Sequence, residues 1–394
     1  MTQVGFLSAP PGSTGPAQPS VPRHHAVVSP VRVVFTSVHA CAFMMLAILP
    51  VVAAVAPVPD LAETIHAAKF APCTGGACEK PDMKFERIQD VQPGFQWPDN
   101  GGYCGSWSVQ RAALTKGAWI SQQQVRDHTS PSPGAPASHD NEILSPNIDE
   151  ALQNLKLKHE GFDYRTAPVP QQPAYFKWLK SQLVQNRTVV WMIMWNGQSY
   201  PAYDMKVPEG VHGHVEPVIG IQSNHPLTDG NVYDDDVFVH LTDNSDDMVY
   251  KRVSTLSGDW SPGGKAECQR GSTYCIGPYG YGWAVEGFLG DERKGAVPLS
   301  LAIDPWEREP DYRKHEAPIT LKGKVTAKRL SAGSRYEIYR WDSVDEAFEY
   351  KAAFRRTTFT ARSDTFVFED AKPFWNNGTT FYRCVPADGE TVEA

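Results

Sequence analysis

Apolar positions change period partway along the chain. From Cys104 to about Gly117, Trp107, Ala112, Ala113, Leu114 and Trp119 recur at helical spacing and predict a helix. Ser121-x-x-Gln124 has the form of a capping box and restarts a short helix through Arg126. Ser130 to His139 is loop by composition. Ser145-Pro146 then opens a helix with Ile148, Ala151, Leu152 and Leu155 on one face. Another helix runs from about Pro173 to Gln185 through Tyr175, Phe176, Leu179 and Leu183. Beyond it the spacing is that of strands. Thr188 to Trp195 is a continuous apolar run, His214 to Ile221 a second strand with Pro217 marking an edge or a bulge, and Val237 to Thr242 a third. Gly258 to Gly290, rich in Gly, Trp and Tyr, reads as a structured loop system. Helices first and strands later predict an α+β domain, with helices segregated on one side of an antiparallel sheet.

After Asp304 the pattern changes again. Residues 304–318 are charged and contain proline, as a linker would. ITLKGKVTAK, RYEIYRW, TTFTAR, TFVFED and TTFYRCV then follow as short strand-like runs between polar turns. They predict a separate small β-sandwich over residues 319–394. At the other end, residues 1–32 are rich in Pro, Ser and Gly, and Val33 to Pro59 carries no charge. Cys41 to Val55 has the length of a signal-peptide apolar region, with Ala54-Val55-Ala56 as a cleavage site, so residues 1–56 read as a signal peptide. An uncleaved signal anchor is the rival reading. Either one delivers the chain across a membrane to an extracytoplasmic location, and membrane association is expected only through such an anchor. Residues 57–95 form an extended leading segment.

Composition narrows the function. The chain has 394 residues, 31 Gly and 32 Pro, which favours turns over long helices, and shows no repeat. The net charge is −8, so nucleic acid is not an expected partner. Six cysteines lie outside the targeting segment. Cys73–Cys78 and Cys268–Cys275 each bracket turn-forming residues and are expected as disulfides in an oxidising compartment, while a zinc site is disfavoured by the loose spacing. That pairing leaves Cys104 and Cys384 without partners. Asn377-Gly378-Thr379 is a glycosylation sequon in a turn context; Asn186-Arg187-Thr188 precedes a buried strand and is a poorer acceptor.

The candidate chemistry centres on Asp99 to Gln110, DNGGYCGSWSVQ. A Gly-rich loop delivers Cys104 to the first turn of a helix, where unpaired N–H groups and the helix dipole favour a thiolate. A base for such a nucleophile can be distant in sequence. His214 stands at the head of an apolar strand, with His212 and His240 as competitors, and VFVHLTDNS ends the next strand with Asp243 and Asn244. Structural alternatives exist for each: a small buried cysteine, a core histidine, and a solvated or calcium-binding turn over Asp243–Asp247. Asp234-Asp235-Asp236 reads as a solvated turn. The aromatic residues from Tyr274 to Trp283 are expected to serve packing.

The order Cys104, His214 at a strand head, then Asn244 or Asp243 after the next strand resembles the papain-like cysteine peptidases. Within them it is most similar to the branch that removes double-glycine leaders from bacteriocins. That resemblance implies a papain-like domain over residues 96–303, no metal or organic cofactor, and a peptide or protein substrate. It also implies Cys104 as nucleophile, His214 as base and Asn244 (or Asp243) as orienting residue. Papain has C-G-S-C-W with the second cysteine attacking, whereas Cys104-Gly105-Ser106-Trp107 matches the bacteriocin-leader branch better. The family's oxyanion glutamine falls on Pro98 here, so Gln96 or Asn100 takes that role. A polar insertion separates the second and third strands at Gln222 to Asp236. The implied function is peptide or amide hydrolysis. A catalytically inactive binding protein and a thiol-dependent acyltransferase are its rivals.

Overall fold

In the computed structural model the first described element is β1 (Phe85–Ile88), after which the chain enters α1 (Cys104–Leu114), β2 (Ala118–Ile120) and α2 (Gln122–Asp127). The structure describes residues 79–94, 96, 103–129, 145–163, 166–168, 171–196, 211–241, 248–257, 274–275, 282–304, 319–349, 351 and 353–387. Next come α3 (Ser145–Asn154), β3 (Leu157–Gly161), α4 (Gln171–Val184), β4 (Thr188–Asn196), β5 (Val211–Ser223), β6 (Val237–Leu241) and β7 (Met248–Arg252). Two short strands, β8 (Leu256–Ser257) and β9 (Tyr274–Cys275), precede β10 (Gly282–Phe288) and β11 (Leu299–Asp304). The C-terminal part comprises β12 (Thr320–Lys328), β13 (Arg335–Trp341), α5 (Val344–Glu349), β14 (Phe354–Thr360), β15 (Thr365–Trp375) and β16 (Thr379–Pro386). Among the described residues no helix is long and apolar enough to cross a membrane.

Local signals explain several boundaries. Ser121 caps α2 with its side chain, accepting from the Gln124 N–H at 3.1 Å. The helix from Cys104 stops at Leu114, and Gly117, at φ +79°, turns the chain into β2. A side chain at position 117 would be strained at that φ and would press on Leu299, where an added Cβ meets Leu299 Cβ at 2.8 Å.

The described residues form three sheets. The largest runs β3-β10-β4-β5-β6-β7, with β1 beside β5 and β9 beside β4; the others are β11-β12-β15 and β14-β13-β16-β2. In the large sheet Ile193 faces His214, Met192 faces Val215 and Trp191 faces Glu216 across the β4–β5 ladder. Directly opposed residues share a face. Trp191, Ile193 and Val218 therefore pack with Tyr175, Phe176 and Leu179 of α4, while Val190 and Val215 pack on the other face with Val109, Ala112 and Ala113 of α1. Pro217 does not place β5 at an edge. It precedes a register irregularity between Val218 and Gly220, where the β5–β6 pairing begins.

The expected arrangement, helices plus one sheet followed by a separate small sandwich, is overturned. The described residues are mostly antiparallel strand in three sheets, and all five C-terminal strand runs form without making an appended domain. β2, directly after α1, pairs with β16 (Trp119 opposite Thr380). Trp119 Nε1–H also donates to the Asn376 carbonyl at 3.0 Å. One core unites Trp107, Leu114 and Trp119 with Ile219 and Val239 of the large sheet and with Leu321, Val325, Ile338 and Tyr382. The physical reason lies in α1. Every residue from Cys104 to Leu114 is buried, so this helix has no solvent face and is covered on both sides. Gly282–Phe288, expected as loop, is a strand between β3 and β4. Asp236 is no solvated residue either: it is fully buried and paired with Lys180 Nζ at 3.0 Å.

Candidate functional site

Cys104 opens α1 and is a free, buried thiol. Tyr103, at the N-cap position, supplies no side-chain oxygen to the first-turn N–H groups, so these donors stay with the site. Tyr103 is instead held from below. Its hydroxyl donates to Gln123 Oε1 at 3.1 Å, and the Arg126 guanidinium lies 3.2 Å from its ring centroid. One turn into α1, Ser108 Oγ reaches the Cys104 carbonyl at 2.7 Å and the Val215 carbonyl at 3.1 Å. A single hydroxyl thus fastens the nucleophile candidate's turn to the residue that follows His214.

Strand alternation decides where the imidazole goes. Val215 belongs to the core that contains Cys104, whereas His214 and Glu216 share the opposite face with Ile193 and Trp191. There the Glu216 carboxylate is fully buried between two histidines. His240 Nδ1 lies 2.7 Å from Oε2, and His214 Nε2 lies 3.4 Å from Oε1. Burial opposes the charge on Glu216 most strongly, yet His240 and His214 together hold it well below the usual carboxylate range. Lys251, on β7, is pushed down to about 8 by burial against the pull of Glu216. The ring of His240 also sits 5.7 Å from that of Trp191.

Glu216 was missed by sequence reasoning, although a signal was present: an acidic residue inside an apolar strand, two positions from a histidine and so on its face. Gln96 is partly buried, with its Oε1 making no hydrogen bond among the described residues. Asn244 and Asp243, as well as Pro98 and Asn100, lie outside the described residues. So do Cys73, Cys78 and Cys268, together with the side chain of Cys275. Cys384 is free and buried on β16, and burial pushes its thiol up to about 12. Asn377 is exposed in the turn between β15 and β16. Among the described residues no group of three or more His, Cys, Asp or Glu is arranged to hold a metal ion.

No known protein family matches the sequence, and no curated protein matches it. Among solved structures the chain is similar to the clostridial cysteine protease Cwp84 after propeptide cleavage, at 9% identity and a TM-score of 0.30, covering 76% of this chain and 81% of that one. It is likewise similar to the cysteine protease and lectin-like domains of Cwp84, a surface-layer-associated protein of Clostridium difficile, at 11% identity and a TM-score of 0.28, covering 82% and 81%. Likenesses this distant carry no functional argument.

Proposed function

We propose that the chain is an extracytoplasmic cysteine hydrolase acting on peptide or amide bonds. The observation that carries this reading is the Gly-Tyr-Cys-Gly sequence that puts Cys104 at the uncapped start of a fully buried helix, tied through Ser108 to the strand that bears His214. In the proposed reaction the Cys104 thiolate attacks the substrate carbonyl, and the proton it gave up passes through His214 to the leaving amine. Water then releases the acyl group. The Cys104 N–H, with Gln96 or Asn100, holds the oxyanion. Asn244 or Asp243 orients the imidazole. β6 runs antiparallel to β5 with His240 opposite Val218, so Leu241 ends that strand heading toward the His214 end of β5. The reaction as drawn uses no metal or organic cofactor.

Val215 rather than His214 faces the core around α1, so strand alternation turns the imidazole away from the face that holds Cys104. That same orientation favours a second reading, a binding protein without turnover. Alkylation with iodoacetamide at mildly acidic pH, followed by mapping of the modified residue, separates the two. An activated Cys104 reacts while Cys384 does not. A Cys104 that stays inert in the folded protein, with no turnover on a broad peptide library, leaves the binding reading standing.

A further inference from the structure

The first turn of α1 has two sides. Cys104 and Ser108 stand on the side toward β5, where Ser108 Oγ reaches the Val215 carbonyl. Ser106 comes two residues after Cys104, about 200° round the axis, and shares its side with Tyr103, three residues before it. α2 meets the helix on that side. The Arg126 guanidinium lies over the Tyr103 ring, and Val125 shares a core with Val109 and Ala113, one and two turns beyond Ser106. Ser106 is fully buried, and its Oγ makes no hydrogen bond among the described residues. A buried hydroxyl left that way is costly unless a partner comes from outside the chain. Side chains on a helix lean toward its N-terminus, so this hydroxyl lies over the first turn. There the N–H groups of Cys104, Gly105 and Ser106 precede the first helical bond, from Trp107 N–H to the Tyr103 carbonyl at 2.8 Å. Arg126 brings a buried positive charge to the same end. Neither helix has an acid in its first turn, and Asp127 is exposed and engaged by Gln123 and Gln124.

We infer that this end of α1 is a carboxylate subsite: Ser106 Oγ and the open first-turn N–H groups bind a substrate carboxylate, and the Arg126 charge favours it there. The inference rests on the reading of Cys104 as nucleophile and adds a substrate preference to it. The thiol is on one side of the helix end and the anion donors are on the other, so the carboxylate sits a few bonds from the attacked carbonyl. The helix dipole favours an anion at this end, and hydrogen bonds to a charged group are the strong ones. A neutral substrate would leave the Ser106 hydroxyl unsatisfied.

The test uses two maleimides of equal length. N-propylmaleimide ends in a methyl group where 3-maleimidopropionate ends in a carboxylate. Their rates of addition to Cys104, confirmed by mapping the adduct, are compared in the folded full chain and in the chain unfolded in urea, which supplies the intrinsic ratio. Folded wild type should favour the carboxylate reagent by about tenfold over that ratio, and Ser106→Ala and Arg126→Gln should each remove most of the preference. A folded wild type that reacts with both reagents at the unfolded ratio overturns the subsite alone, as does a preference that survives Ser106→Ala. If Arg126→Gln fails to fold, the smaller change Ser106→Ala carries the comparison. A Cys104 inert to both reagents sinks its reading as nucleophile, and acetate then decides the subsite by ¹⁵N NMR. Saturable shifts of the Cys104, Gly105 and Ser106 amides that weaken in Ser106→Ala support it, and unmoved amides overturn it.

Discussion

The guanidinium of Arg111 lies flat against Gly94, where an added Cβ would stand 2.6 Å from Cζ and Nη1. Arg111 Nη1 donates to the Pro93 carbonyl at 2.9 Å, and Nη2 donates to Gln110 Oε1 at 2.6 Å. On the far side of this segment, the Gln92 side chain exchanges two hydrogen bonds with Ile303 of β11. The segment that leads to Gln96 is thus clamped between α1 and β11. Arg111 shares a helix stripe with Cys104 and Ser108, so one face of α1 carries the thiol, the tie to β5 and this clamp.

Gly94→Ala should therefore destabilise the protein by about 1–3 kcal/mol, because the methyl group displaces a buried, hydrogen-bonded guanidinium. Urea unfolding measures it. An unchanged midpoint would show that Arg111 shifts freely.

Ser108→Ala removes a buried hydroxyl that reaches two carbonyls and should cost about 1–2 kcal/mol. If the tie between α1 and β5 sets the reacting geometry, kcat drops while KM changes little. Loss of stability with intact kcat would make Ser108 purely architectural.

Mutant kinetics address the proposed chemistry directly. Cys104→Ala should lower turnover on the order of a thousandfold or more, His214→Ala nearly as much, and the double mutant scarcely further, since residues acting as a unit are non-additive. Asn244→Ala should keep partial activity, and comparison with Asp243→Ala names the orienting residue by the larger loss. Unchanged ligand affinity in every variant, with no wild-type turnover, would favour the binding protein.

Asp370 lies fully buried among Arg340, Arg356 and Tyr382, with Arg356 Nη2 at 2.6 Å and the Tyr382 hydroxyl donating at 2.8 Å. Burial opposes its charge, but Arg356, the Lys372 N–H and Tyr382 hold the carboxyl below its ordinary value. A folded pKa below the unfolded one means stability present above the unfolded pKa and lost as pH falls through the folded one. Wild type should weaken steeply below about pH 4, where unfolded Asp takes up its proton. Asp370→Ala should cost about 3–5 kcal/mol at neutral pH and flatten that acid limb. An acid limb identical in the two proteins would contradict the assignment.

Cys384 offers an internal control. With its thiol pushed up to about 12 by burial on β16, it should resist iodoacetamide at pH 8 in the native protein and react once unfolded. Mass mapping of the alkylated peptides reads both states. Native labelling at Cys384 would mean that the core around Ile338 and Tyr382 opens readily.

Much of the local structure was legible in the residues alone. Periodicity and capping located α1 at Cys104, α2 behind Ser121, α3 at Ser145 and the apolar strands β4 to β6, because each depends on neighbours within a few residues. The C-terminal strand runs were equally plain. Tertiary structure alone decided what these pieces join. Ala118–Ile120 is three residues long, too short for a periodic signal, yet it carries β2 onto β16 and merges the expected separate sandwich with the rest. Strand pairing is a contact between distant residues, and local alternation says which face is buried without naming the partner. The same limit applied at Glu216. Its place in β5 was readable, but only the folding of β6 alongside brings His240 against it, and only that contact explains a carboxylate in the core.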